Sequence, residues 1–143
     1  MKKIIFILLV SLLSSGINAQ NFTGKGDQKL QAGFTFYGYG TGIKASYDYG
    51  LSDEFSIGAG ANFFNSGTYS SSFFIFGRGD YHFGNIIDLP DELDVYAGLE
   101  LGLIGNTNFG IGGHAGARYE ISNNWGAFLE IGNNGAIGLY LSL

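Results

Sequence analysis

The residues of this chain that could do chemistry are few and evenly spaced. In FFIFGRGDYHF, residues 73–83, Arg78, Asp80 and His82 stand two apart in an otherwise apolar segment. His114, Arg118 and Glu120 keep the same even spacing, as do Lys44 and Asp48, while Glu100 and Glu130 stand alone among apolar neighbours. Side chains two apart share one face of an extended chain. Guanidinium, carboxylate and imidazole groups on one face can pair, pass protons or hold a ligand.

Each sharper chemistry has a reason against it. No nucleophile–base pair of the kind covalent catalysis requires is legible, so no catalytic residue and no enzyme activity is expected. His82 and His114 are far apart and lack a companion ligand set, and the chain has no cysteine, so neither a metal nor a disulfide is expected. Gly110-Ile111-Gly112-Gly113 follows no strand-to-helix pattern, which removes a dinucleotide fingerprint; no cofactor is expected. Arg78-Gly79-Asp80 lies inside an apolar segment rather than at a loop tip, the wrong place for adhesion.

The elements that must position these groups are strands. From Lys29 onward the hydropathy alternates with period two, giving eight segments: 29–39, 42–50, 55–64, 72–83, 93–104, 109–120, 125–132 and 136–143. Glycine-, asparagine- and serine-rich turns separate them, and the single proline, Pro90, falls in the longest connection. Short connections make consecutive strands antiparallel. One face is continuously apolar, as in Val95, Ala97, Leu99, Leu101 and Leu103. The other is mixed and carries every ionisable group within the strands, Lys29 at the entrance being the exception in this reading.

The first residues, MKKIIFILLVSLLSSGINAQ, have the charged start, short apolar run and small residue at the cut of a secretory signal peptide. This reading divides the chain into a leader at 1–19, a polar lead-in at 20–28 and one barrel at 29–143. Without Lys2 and Lys3, five basic residues face twelve acidic ones, which excludes a nucleic-acid partner. Charged residues make up 13% of the chain, against about 25% in a soluble domain.

Three features turn the apolar face outward. The mixed face, rich in Gly, Tyr and Ser, makes a poor water-facing surface. Most segments approach the roughly 9–11 residues of a tilted spanning strand. Tyr49, Phe55, Tyr81, Phe83, Tyr119 and Trp125 flank alternate turns on the apolar face, as an interfacial aromatic girdle would.

In this architecture the chain resembles the small eight-stranded outer-membrane β-barrels of Gram-negative bacteria, the OmpA-barrel/OmpX type, over residues 29–143. Its end, AIGLYLSL, is similar to that family's C-terminal assembly signal through Gly138, Leu141 and Leu143, departing from it at Ala136 and Leu143. The resemblance implies an up-and-down transmembrane barrel in the outer membrane with both termini in the periplasm. It also implies outer-membrane lipids as partners, and periplasmic chaperones and the barrel-assembly machinery during biogenesis. Related barrels place function in long outer loops. Here those loops are short and contain no His, Asp or Glu, which argues against the acyltransferase activity known on this architecture.

An eight-stranded interior is just wide enough for side chains to fill. Lys44, Asp48, Arg78, Asp80, His82, Glu100, His114, Arg118, Glu120 and Glu130 are therefore expected to form a buried, paired lumen network. Simple register places Glu100 opposite His114 and beside Arg78, with Arg118 on the diagonal to Glu130. The function expected is a structural envelope role with a plugged interior. The alternatives are a narrow proton or small-ion pore, or a secreted lipocalin-like barrel with Leu99, Leu101 and Leu103 around an apolar ligand.

Overall fold

The computed structural model of the chain describes residues 21–65, 72–105 and 108–143. The expected leader at 1–19 lies outside the described residues, as do 66–71 and 106–107 within two connections.

Alternating side chains and turn-rich breaks produce eight strands: β1 (Gln28–Tyr37), β2 (Thr41–Gly50), β3 (Phe55–Asn65), β4 (Ser72–His82), β5 (Leu93–Ile104), β6 (Asn108–Ser122), β7 (Trp125–Gly132) and β8 (Gly135–Ser142). Each pairs antiparallel with the next, and β8 returns to pair with β1, so the sheet closes into an all-antiparallel, up-and-down barrel. Closure leaves no free sheet edge. Phe83, expected to end β4, instead begins a 3-10 turn, Phe83–Asn85.

The registers fix the barrel's shape. Followed once around through ladder partners, Arg118 leads to Phe128, Gly138, Gly33, Lys44, Asn62, Phe74 and Ile104, and the path re-enters β6 at Asn108. That offset of ten residues, 118 to 108, is the shear. With a rise of about 3.3 Å and a strand spacing of about 4.8 Å, it tilts the strands by about 41°. Side chains at one height in the lumen are therefore not ladder partners but diagonal neighbours.

Hydrophobic and polar faces are inverted relative to a water-soluble core. Leu99, Leu101 and Leu103 are 63%, 51% and 57% exposed on the outer wall, with Phe34, Ile43, Ile75, Ile111 and Leu139 around the same belt. The lipocalin-like alternative, which needs those leucines inside, does not fit this arrangement. Lys44, Asp48, Arg78, Asp80, His82, Glu100, His114, Arg118 and Glu130 all point inward and are buried. Glycine makes room for the larger lumen side chains: a Cβ at Gly116 would lie 2.5 Å from the Tyr96 ring.

The two ends differ. At the end opposite the termini, Phe64, Phe74 and Phe76 pack with Tyr39 and Ile104 across the lumen. There the Tyr39 amide donates to Asn134 Oδ1 at 2.9 Å, joining the β1–β2 and β7–β8 turns. The described turn residues at this far rim, among them Gly38, Tyr39, Gly40, Gly105, Asn133 and Asn134, carry no charge. The terminal rim holds Lys25, Asp53, Glu54, Asp88, Asp91 and Glu92 at or near the surface.

The lead-in is ordered structure. The Asn21 amide donates to Asp91 O at 2.9 Å, and its side chain donates to Glu92 O and Arg118 O at 3.0 and 2.8 Å. Phe22 stacks on His82 with ring centroids 3.6 Å apart. The Gly26 amide donates to Gly50 O at 2.9 Å. Residues 21–27 therefore run as a strap across the terminal mouth.

Candidate functional site: the lumen charge network

Alternation on six strands, β1, β2 and β4–β7, delivers the charged groups to the lumen, and the shear decides which ones meet. Near the terminal mouth, Arg118 binds three partners. Its Nε donates to Gln31 Oε1 at 3.0 Å, its Nη1 to Asp94 Oδ2 at 3.3 Å, and its Nη2 to Asp48 Oδ2. The guanidinium lies 4.4 Å from the centroid of the Tyr96 ring, a cation–π contact.

Half-way along the lumen, Arg78 Nε donates to Asp80 Oδ2 at 2.9 Å and lies 3.2 Å from Asp48 Oδ1, while Nη1 lies 2.9 Å from Glu130 Oε2. Asp80 also takes the His114 Nε2 contact. Glu130 gathers the most partners, accepting from Tyr96 OH at 2.8 Å, Gln31 Nε2 at 3.2 Å and Lys44 Nζ at 3.1 Å. Lys44 reaches Glu100 Oε2 at 3.4 Å and lies 4.9 Å from the centroid of the Phe76 ring.

These contacts correct the simple-register pairings. His114 stands opposite Gly98, and Glu100 opposite Gly112, so those two are not ladder partners. Arg78 and Glu100 are ladder partners, yet the ion pairs of Arg78 run to Asp48, Asp80 and Glu130, and Glu100 pairs with Lys44. Arg118 sits on the diagonal to Glu130, but its hydrogen bonds run to Asp48, Asp94 and Gln31. Glu120 stays half-exposed near the terminal rim, outside the buried set. Lys29 is a correction of the opposite kind: it is 2% exposed and its ammonium donates to both oxygens of Asp27 at 2.7 and 2.8 Å.

The corrected inventory changes the charge count. Among the described residues the buried carboxylates are Asp27, Asp48, Asp80, Asp94, Glu100 and Glu130; the buried fixed cations are Lys29, Lys44, Arg78 and Arg118. The two groups differ by two. Two buried imidazoles each lie against one of these carboxylates, His82 on Asp94 and His114 on Asp80.

One grouping escaped the sequence reading altogether. Ser56 Oγ lies 2.9 Å from His82 Nε2, and His82 Nδ1 lies 2.7 Å from Asp94 Oδ1. The three come from β3, β4 and β5, and both flanking residues are diagonal to His82 in the ladder. Sequence alone offers no signal for this beyond membership of the same inward face.

The interfacial aromatics expected from the sequence lie on the outer wall toward the terminal end, with Tyr49, Phe55 and Tyr119 exposed and Tyr81, Phe83 and Trp125 half-buried. Gly138 faces Gly33 across the β1–β8 seam, and Leu141 faces Leu30. Leu143 follows the end of β8 and is 42% exposed.

A comparison with solved structures supports the fold. A structure from a study of de novo design of transmembrane β-barrels superposes with a TM-score of 0.72 at 17% identity, covering 85% of this chain and 98% of that one. No curated protein matches the chain. Residues 12–138 match a sequence family described as a family of unknown function, DUF6646.

Proposed function

The chain belongs to that family of unknown function, and we propose that it is a small barrel of the Gram-negative outer membrane, exported by its leader, with a structural role in the envelope and a lumen closed to ions. The observation that carries this reading is the pairing of an apolar outer belt with a buried ionic network. An apolar belt of this kind suits hydrocarbon. The network places side chains across the lumen at several heights, and the aromatic cluster and the strap cover its two ends. The aromatic girdle fits a headgroup interface at the terminal end. Lipids are the partners of the outer wall, and the barrel-assembly machinery and periplasmic chaperones those of its biogenesis.

The test is membrane fractionation of the expressed protein with a heat-shift gel, followed by conductance in a planar bilayer. The expected result is an outer-membrane band that shifts on boiling, and no steady current. A protein that stays folded in buffer without detergent would overturn the membrane reading. A steady current through the wild type that changes in Glu100→Gln would replace the closed lumen with a narrow ion path.

A further inference from the structure

Ser56, His82 and Asp94 form one hydrogen-bonded line at the terminal end of the lumen. The order of groups matters. Asp94 accepts from Nδ1, so in the neutral imidazole Nε2 turns its lone pair toward the Ser56 hydroxyl. Asp94 is held from its other side by Arg118, which fixes the carboxylate against the ring. Hydroxyl, imidazole and carboxylate in this sequence and at these distances are what activates a serine for attack on a carbonyl.

Three polar groups could instead be satisfying one another in a crowded lumen. Two further observations favour chemistry. A cavity of about 110 Å³ adjoins His82 and Asp94 at the terminal mouth, bounded by apolar Phe22, Leu89 and Leu93 and by polar Asp53, Asn85 and Asp91; Ser56, on the far nitrogen of His82, is not part of its wall. It is somewhat smaller than the roughly 150 Å³ cavity that accommodates benzene. In addition, the ring over His82 belongs to the strap and not to the barrel wall. Phe22 is itself partly exposed, whereas His82 lies buried under its ring, with Ser56 and Asp94 buried at the two nitrogens of the imidazole.

We propose that Ser56 is a nucleophile toward esters of small acyl groups, admitted from the terminal rim when the strap carries Phe22 off His82. Ser56 Oγ bonds to the ester carbonyl carbon and its proton passes to His82 Nε2. The bond from that carbon to the alcohol oxygen breaks, and His82 returns the proton to the departing alcohol. Water then repeats the attack on the acyl-serine through His82, releasing the carboxylic acid and restoring the hydroxyl. Asp94 keeps the ring in the tautomer that both steps need. The site adds to the structural role and does not depend on which membrane holds the barrel.

The test uses the full chain, purified and folded in detergent, with a fluorophosphonate probe that reacts by the same serine attack with loss of fluoride. Adducts are mapped by mass spectrometry. Ser56 is expected to label slowly in the wild type and about tenfold or more faster in Phe22→Ala, because reactivity scales with the population of the open strap. His82→Gln and Asp94→Asn, combined with Phe22→Ala, should slow labelling about a hundredfold or more. A folded Phe22→Ala with no Ser56 adduct overturns the proposal, and so does labelling that is indifferent to both His82 and Asp94. If Phe22→Ala gives no heat-shifted band, the wild type and Phe22→Leu decide, and no Ser56 adduct in either overturns it. The heat shift reports the barrel separately, so failure of this site leaves the structural reading standing.

Discussion

Arg78 and Glu130 leave β4 and β7 and meet across the lumen, with Nη1 of one 2.9 Å from Oε2 of the other. The same guanidinium faces Asp48 and Asp80, so one cation answers three carboxylates. Arg78→Met would leave that cluster short of its cation and is expected to cost about 3–5 kcal/mol. Urea unfolding from lipid vesicles, read by the single tryptophan, Trp125, measures it. Glu120→Gln near the rim should change stability by no more than about 0.5 kcal/mol in the same assay.

Lys44 bridges Glu100 and Glu130. Lys44→Met should destabilise strongly, and adding Glu100→Gln should recover part of the loss, because it removes one of the stranded charges. A coupling of about 0.5–3 kcal/mol is expected from the double-mutant cycle. Simple additivity of the two changes would mean that the pair does not act as a unit.

The outer belt makes the opposite demand. Leu99 is exposed on the wall, with Gly79 and Gly113 as its ladder partners. Leu99→Arg should weaken folding into vesicles by about 2–4 kcal/mol if that wall meets the bilayer mid-plane. Equal folding yield and stability for the arginine variant would place this face in water.

Gly33 and Gly138 are ladder partners at the seam where the barrel closes. A Cβ at Gly138 would lie 2.2 Å from Ala32 O and 2.4 Å from the Gly33 Cα. Gly138→Val is expected to block closure and abolish the heat-shifted band. Leu141→Ile, on the outer face of the same strand, should retain it. Gly138 thus has a geometric reason to be glycine, independent of any assembly signal.

Strand positions were legible because alternation is a local property. Residues such as Leu99 and Glu100 declare opposite faces whatever the rest of the chain does, and all eight segments lie where the period-two pattern puts them. Ion pairs were not, because shear is a property of the closed barrel. Glu100 meets Lys44 through a tilt that no single hairpin reveals. Lys29 shares its parity with Gln31 and so belongs to the inward face, although its place at the start of a strand makes that face hard to see in the sequence. The strap was read as a polar lead-in because residues 21–27 have no periodicity, and what organises them is a set of contacts to Asp91, Glu92, Arg118, His82 and Gly50. Ser56 stayed invisible as a partner of His82 because a serine on a strand carries no distinguishing neighbour.

The uneven rims give insertion a direction. Moving an ion through hydrocarbon is costly, and a hairpin turn must cross the whole bilayer before its strands can span it. The far turns, whose described residues 38–40, 65, 105 and 133–134 carry no charged side chain, can make that passage at the lowest barrier. Asp53, Glu54, Asp88, Asp91 and Glu92 would each have to shed hydration to follow them. On the membrane reading proposed above, this asymmetry favours entry loops first, with the termini left on the side of entry and the charge pattern of the chain adding a bias to whatever the machinery supplies.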